Sequence, residues 1–287
     1  MVKHTIPLIL AALLVTGCHK VDLTGLVAPA SAEVNQRARE SLDINAERGA
    51  IDIVSPTDDY RVYVCSDIHV ENDHHRFSEF LRRQRSDSEA RLGLLLGDIS
   101  SQPGAMETAA GIMAYQPSRD VYNTPVMTIV GNHDLFFNQW EDYKRFFGSS
   151  TYAFTVTTPN YRDLYVMLDS GGGCHGKTQM EWLREVLQTR GQYRHCVVCS
   201  HVNVFRTDMS QFISGNLPLE ETYELLDILA NSNVELYLQG HDHHRKETLY
   251  GGVRYITLDS LKDSVSYVSY VRLDVADGLA WTFEDNI

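Results

Sequence analysis

The chain has 287 residues, of which 43% are apolar and 10% aromatic, enough to bury one large core or two modest ones. Its net charge of −13 argues against a nucleic-acid binder, which needs basic stripes to neutralise a phosphate backbone. No apolar run is long enough to span a bilayer, save a candidate at the very start.

At that start, Lys3 and His4 precede the apolar run Ile6 to Val15, and Val15-Thr16-Gly17-Cys18 follows. A short charged region, a short apolar region and small residues before a cysteine resemble a bacterial lipoprotein signal. The resemblance implies cleavage before Cys18 and a lipid on that cysteine. The protein would then be exported to the bacterial cell envelope, touching the membrane only through the lipid. Residues 1–17 are thus expected to be signal, and 18–56 a lipidated tether and lead-in with Ala-Pro-Ala-Ser-Ala at 28–32. The folded domain is expected over 57–287.

Four cysteines remain, Cys65, Cys174, Cys196 and Cys199, too few for a disulfide scaffold. Cys196 and Cys199 lie in the apolar run Cys-Val-Val-Cys, where an odd separation along a strand sends them to opposite faces. They read as buried thiols, neither redox pair nor zinc ligands.

From Tyr60 onward strands and helices alternate. Arg61 to Cys65 reads as a strand, and Phe77, Phe80 and Leu81 mark a helical face. Leu92 to Leu96 is a second buried strand, followed by a weaker helix over Met106 to Ala114. Pro125 to Val130 is a third strand, and an aromatic helix follows from Trp140 to Phe147. Strands are expected at Tyr152 to Thr157 and Asp163 to Leu168. Thr178 and Glu181 form a capping box on a helix whose inward face is Met180, Leu183 and Leu187. A strand at 195–199 precedes a helix with Leu219, Tyr223, Leu226 and Ala230 on one side. Val234 to Leu238 is the next strand, and from Thr248 the tail reads as nearly all strand. The pattern predicts a mixed sheet, or two sheets, flanked by helices. The glycines at 171–173 read as a surface turn, since no phosphate-loop spacing accompanies them.

The chain is organised around Pro125 to Asp134, a buried strand running into Gly131-Asn132-His133-Asp134. Four other strands end similarly: Asp67 and His69 follow the first, Asp98 the second, His201 the 195–199 strand, and His241 and His243 the 234–238 strand. Taken singly, each is a turn residue, an N-cap or a satisfied histidine, as His74, His75, His195 and His244 are read. Their shared placement changes the odds, because parallel strands ending on one edge bring these loops together. Imidazole and carboxylate suit divalent zinc, iron or manganese. Two such ions about 3.5–4 Å apart clamp a phosphate and share a hydroxide.

The ordered set Asp67-x-His69, Gly97-Asp98, Gly131-Asn132-His133-Asp134, His201 and Gly240-His241-x-His243 resembles the five blocks of the calcineurin-like metallophosphoesterases, over roughly residues 60–260. The resemblance implies an α/β fold of the four-layer α+β type. Two mixed β-sheets would pack as a sandwich flanked by helices, with the metal site at the carboxyl ends of the strands. It implies that Asp67, His69 and His243 hold one metal, that Asn132, His201 and His241 hold another, and that Asp98 bridges. His133 would face the leaving oxygen, and Asp134 would orient His133. Two divalent or trivalent ions (zinc, iron or manganese) would be the cofactors. The expected reaction is hydrolysis of a phosphate monoester or diester, most readily of a small molecule, by attack of a metal-bound hydroxide.

Many members continue the second block to another aspartate, or to a tyrosine in the purple acid phosphatases. Here Ile99, Ser100 and Ser101 follow Asp98, which argues against a tyrosinate–ferric site and removes no ligand. A catalytically silent relative would be expected to lack a ligand, and this chain has all seven. A third reading makes Tyr115, Tyr122, Phe136, Phe137 and Trp140 a recognition platform, although core and rim packing explains them as well. Candidate substrate loops are 72–75, 171–176 and 203–216, with His175 and Asn203 as the polar residues nearest the expected metal edge.

Overall fold

Strands whose successive residues are apolar on both faces need a layer on each side, and this chain supplies two sheets between helices. A computed structural model describes residues 34–71, 73–115, 124–206 and 213–287. The signal and lipid readings at 1–17 and Cys18 lie outside the described residues, as do Asn72, Tyr122 and residues 207–212. Among the described residues, no helix is long and apolar enough to cross a membrane.

The larger sheet has seven strands, β1 (Ile51–Val54), β5 (Tyr152–Thr157), β6 (Arg162–Met167), β7 (Cys196–Cys199), β8 (Leu236–Gln239), β9 (Lys246–Tyr250) and β10 (Val253–Thr257). Their order across the sheet is β1-β5-β6-β7-β8-β10-β9. The smaller sheet contains β2 (Tyr60–Cys65), β3 (Ala90–Leu95), β4 (Val126–Thr128), β11 (Tyr270–Val275) and β12 (Leu279–Glu284). Its order is β12-β11-β2-β3-β4. Both sheets are mixed, and the expected sandwich is what the chain forms. β2, β3 and β4 run parallel with Cys65, Leu95 and Thr128 level, while β7 and β8 run parallel with Cys199 beside Leu238. The five strands that precede candidate ligands therefore end at a common edge.

Three apolar clusters fill the layers. Val62, Val64, Leu92, Leu94, Val197 and Cys199 meet between the sheets. Cys196 and Val198 face the other way, toward α5 (Gly176–Leu187) and α6 (Leu219–Asn231). Tyr63 and Cys65 face α2 (His75–Ser86), α3 (Ala105–Ala114) and α4 (Trp140–Phe147). Cys196 and Cys199 thus occupy opposite faces, and all four cysteines are free thiols.

The lead-in, expected to be partly ordered, contains α1 (Val34–Arg48), which packs on α5, and β1, which pairs with β5. Several local readings change. On α6 the buried side is Thr222, Leu225, Leu226, Ile228 and Leu229, whereas Leu219 is 58% and Tyr223 54% exposed. Leu219 lies in the first turn, which overhangs the core, so counting from it set the phase wrong. The capping box does not form. Helix α5 starts at Gly176 and its first N–H groups are met from outside: Glu221 accepts from His175 and Gly176, and Asn35 from Thr178. In the tail, residues 258–269 make a loop between strands, with Leu258 and Leu261 buried.

Candidate metal centre

All the candidate ligands lie in the loops that leave the level strand ends. Asp67 (φ 52°), His69 (φ 47°), Asp98 (φ 51°), His241 (φ 72°) and His243 (φ 58°) adopt the left-handed backbone region. They are five of the eight non-glycine residues at positive φ among the described residues. Each such residue costs roughly 1–2 kcal/mol, so the surroundings must over-determine it. Gly131 and Gly240 permit this crowding. A Cβ on Gly131 would lie 2.2 Å from the Asp98 amide nitrogen and from its Oδ1, and one on Gly240 would lie 1.9 Å from Ser66 Oγ. Gly131 does not use positive φ, so what it provides is close approach.

The donor atoms fall into three overlapping groups: Asp67, His69 and His243; His69, Asp98 and His133; and Asp98, His201 and His241. Within each group they lie within 4.8 Å of one another. Asp98 Oδ2 is 3.4 Å from His201 Nε2, 3.7 Å from His69 Nε2 and 3.9 Å from His133 Nε2. Asn132 Oδ1 is 3.1 Å from His201 Nε2 and 3.0 Å from His241 Nδ1. His243 Nε2 is 3.1 Å from Asp67 Oδ1. The loops of the two sheets interlock here, with the His241 N–H donating to Asp67 Oδ2 and the His201 ring meeting the Leu96 carbonyl at 2.7 Å.

The charge balance fits a cation. Asp67 and Asp98 are fully buried, and burial alone would raise both carboxyls. At Asp67 the contact with His243 and the charge of His201 outweigh burial and hold the group at about 2. At Asp98 the charge and hydrogen bond of His201 hold it well below the ordinary carboxylate range. Burial disfavours the His201 cation, yet Asp98 raises that ring to about 10. Burial lowers His69 to about 4 and also lowers His241. Two buried anions are thus ionised beside His69 and His241, which burial keeps neutral, while Asp98 favours the charged form of His201 and Asp67 that of His243. Asp67 Oδ1 and His69 Nε2 lack a hydrogen-bond partner of good geometry. A carbonyl only accepts, so His201 Nδ1 carries the proton given to Leu96, and its Nε2 faces the cluster as a ligand would.

A family model described as calcineurin-like phosphoesterase matches residues 60–245. The chain belongs to this family. No curated protein sequence matches it. A dimetal phosphatase from Danio rerio superposes with a TM-score of 0.61 at 14% identity, covering 81% of this chain and 98% of that one. The purple acid phosphatase PPD1 from yellow lupin gives 0.58 at 13%, over 80% and 52% of the two chains. GAP50, the anchor in the inner membrane complex of Plasmodium, gives 0.58 at 12%, over 79% and 84%. At these identities the likeness is one of fold.

Ser101 Oγ lies 2.7 Å from His69 Nδ1 and fixes that ring. Sequence reading missed it, because a serine three residues after Asp98 gives no signal until the ring is placed. Asp134 is engaged through both carboxylate oxygens. Its Oδ1 accepts from the Ser100 N–H at 2.9 Å and its Oδ2 from the Gly131 N–H at 2.8 Å. These contacts tie the Asp98 and Asn132 loops together. Burial, followed by the Asp98 charge, raises its carboxyl to about 7. The His133 ring is 30% exposed while its N–H donates to Asp98 Oδ1 at 2.8 Å.

The two weaker substrate candidates are internal. His175 is buried, with Nδ1 3.3 Å from Glu221 and Nε2 3.3 Å from Ser200 Oγ. Asn203 is buried and holds its own loop through the Phe205 carbonyl and Asn216. His74, His75 and His244 serve surface turns, and His195 is a satisfied buried ring at the start of β7. The aromatic platform divides: Trp140 is buried on Tyr143, Tyr115 ends α3, and Phe136 contacts His133 with ring centroids 4.5 Å apart.

Proposed function

We propose that this chain hydrolyses a small phosphoester, monoester or diester, at a dinuclear metal centre. The observation that carries the reading is Asp98, a buried carboxylate whose Oδ2 faces His69 on one side and His201 on the other. Asp67, His69 and His243 would hold one ion, Asn132, His201 and His241 the other, and Asp98 is placed to touch both. Zinc, iron and manganese all suit these donors. Bound there, the ions would supply Lewis acidity toward phosphoryl oxygens and an activated water near neutral pH.

The chain's own residues do the rest. Most of the donors are buried, which excludes bulk water from their back side and strengthens their electrostatics. His133 is a partly open ring at this edge, held by its backbone to Asp98, and it would donate a proton or hydrogen bond to the leaving oxygen. A catalytically silent binding module would be expected to lack a donor, and the presence of all seven favours the enzyme. On the same reading the enzyme works outside the cytoplasm, tethered by a lipid on Cys18, and detergent partitioning of wild type against Cys18→Ala tests that part.

The deciding experiment is elemental analysis of residues 19–287, with hydrolysis of p-nitrophenyl phosphate and bis-p-nitrophenyl phosphate beside Asp98→Ala. About two metals per chain and activity lost in the variant would uphold the reading. Failure to take up zinc, iron or manganese would overturn it.

A further inference from the structure

Beside the metal cluster, the rings of His69, His133 and Phe136 touch in series. The His69 and His133 centroids are 4.6 Å apart and perpendicular, and the His133 and Phe136 centroids are 4.5 Å apart at 50°. Exposure rises along this series, from buried His69 through the partly open His133 and Phe136 to Phe137, which is 67% exposed. A line of rings therefore leads from the donor cluster out to solvent.

The backbone here is costly. Phe136 leaves the helical path (ψ 152°), and Phe137 (φ 57°) and Asn138 (φ 62°) are both left-handed. Asparagine tolerates that conformation, but a bulky aromatic residue pays roughly 1–2 kcal/mol for it. Both ends of the excursion are fixed: Leu135 N–H donates to the Asn132 carbonyl, and Trp140 is buried against Tyr143. The Phe137 ring stays largely in solvent, so burial among the described residues does little to offset the strain there. Strain that persists next to a reaction centre is characteristic of a functional surface.

We propose that Phe136 and Phe137 form the leaving-group shelf of this site, and that the substrate is a phosphoester whose alcohol carries a flat aromatic ring. The inference rests on the phosphoesterase reading, in which His133 faces the leaving oxygen. A ring attached next to that oxygen would arrive over Phe136, where offset or tilted aromatic contact adds to simple apolar burial. A saturated ring of the same size gains only the burial.

The test compares benzyl phosphate with cyclohexylmethyl phosphate, whose leaving alcohols are of similar acidity and size. Their turnover is measured on the metal-loaded chain, together with calorimetric binding of benzylphosphonate and cyclohexylmethylphosphonate. The wild type should prefer the aromatic member by roughly threefold to tenfold in binding and in kcat/KM. Phe136→Leu, which keeps apolar bulk but removes the ring face, should abolish that preference by weakening the aromatic member at least about threefold more than the saturated one, and Phe137→Ala should lower both members while narrowing the preference. Phe137→Asn should do the same and raise the melting temperature, since asparagine accepts the left-handed backbone. No preference in the wild type, or equal losses on both members in the variants, would overturn the proposal. A wild type that binds the aromatic phosphonate better but cleaves neither ester would uphold the shelf and sink the monoester form of the phosphoesterase reading. If Phe137→Asn gains stability with the preference intact, the Phe137 half of the shelf is wrong.

Discussion

Ser101 Oγ lies 2.7 Å from Nδ1 of His69, and the other nitrogen of that ring has no hydrogen-bond partner and points at Asp98. The serine fixes the ring from behind, leaving Nε2 free to act as a donor. Outer contacts of this kind are worth about 10–100-fold in metal affinity. Ser101→Ala should weaken binding of the metal by that amount in a chelator competition titration, with the melting temperature of the metal-free protein nearly unchanged. Ser101→Asp keeps an acceptor for Nδ1 and should retain tight binding.

Gly131 tests how closely two ligand loops must approach. An added methyl would meet the Asp98 amide and carboxylate at 2.2 Å, and neither can move without losing its own contacts. Gly131→Ala should therefore displace Asp98, lower activity by about 100-fold or more, and destabilise the fold by roughly 1–3 kcal/mol. At Gly191 an added methyl meets nothing within 4 Å, so Gly191→Ala is the matched control and should leave both quantities unchanged. Equal effects at the two positions would refute this account.

The ligand positions were legible in the sequence because each follows a buried strand, and strand ends share an edge whatever the details of packing. The family blocks added their order. The reach of the Asp134 carboxylate to Ser100, in another loop, was not legible, because nothing in the sequence pairs residues 34 positions apart. Helix α1 was invisible for a different reason. Its buried residues are Val34, Arg37, Ala38 and Ser41, so no apolar stripe announces it. The phase of α6 failed because Leu219 and Tyr223 are apolar yet exposed, and hydrophobic periodicity cannot tell overhang from core.

His195 should make stability depend on pH. Its Nδ1 lies 2.9 Å from Glu235 and its Nε2 2.9 Å from the carbonyl of Ala276, in the turn between β11 and β12, so it joins the two sheets. Only the doubly protonated ring can donate to both. Burial opposes that charge, but the Glu235 and Ala276 hydrogen bonds outweigh it and raise the group above its ordinary value of 6.5. A raised folded value gives stability that is complete below the unfolded value and disappears as pH rises through the folded one. Glu235 is held below 4.5, against the push of burial, chiefly by its hydrogen bond to His195, so its own contribution is lost in acid. The melting temperature of wild type relative to His195→Gln should thus be highest near pH 5.5–6 and shrink above neutrality. A difference that grows toward pH 9 would exclude this clasp.

Arg37 carries the N-terminal helix into the metal centre. Its Nε is 2.7 Å and its Nη2 3.1 Å from the two oxygens of Asp169, and both side chains are buried. Asp169 Oδ1 also accepts the Gly171 N–H, and the adjacent Ser170 Oγ accepts from the backbone of His201 and Val202. The pair therefore braces the loop on which His201 sits. Removing one member of a buried pair leaves an uncompensated charge and costs about 3–5 kcal/mol, more than a surface bridge ever contributes. Arg37→Met should lower stability by that amount in denaturant unfolding and weaken metal binding with it. Arg37→Met with Asp169→Asn should recover part of the stability, because the stranded carboxylate is gone. A chain that begins at residue 57 lacks Arg37 and should behave like the single variant or worse. If it instead binds metal as tightly as residues 19–287 do, helix α1 has no part in positioning His201.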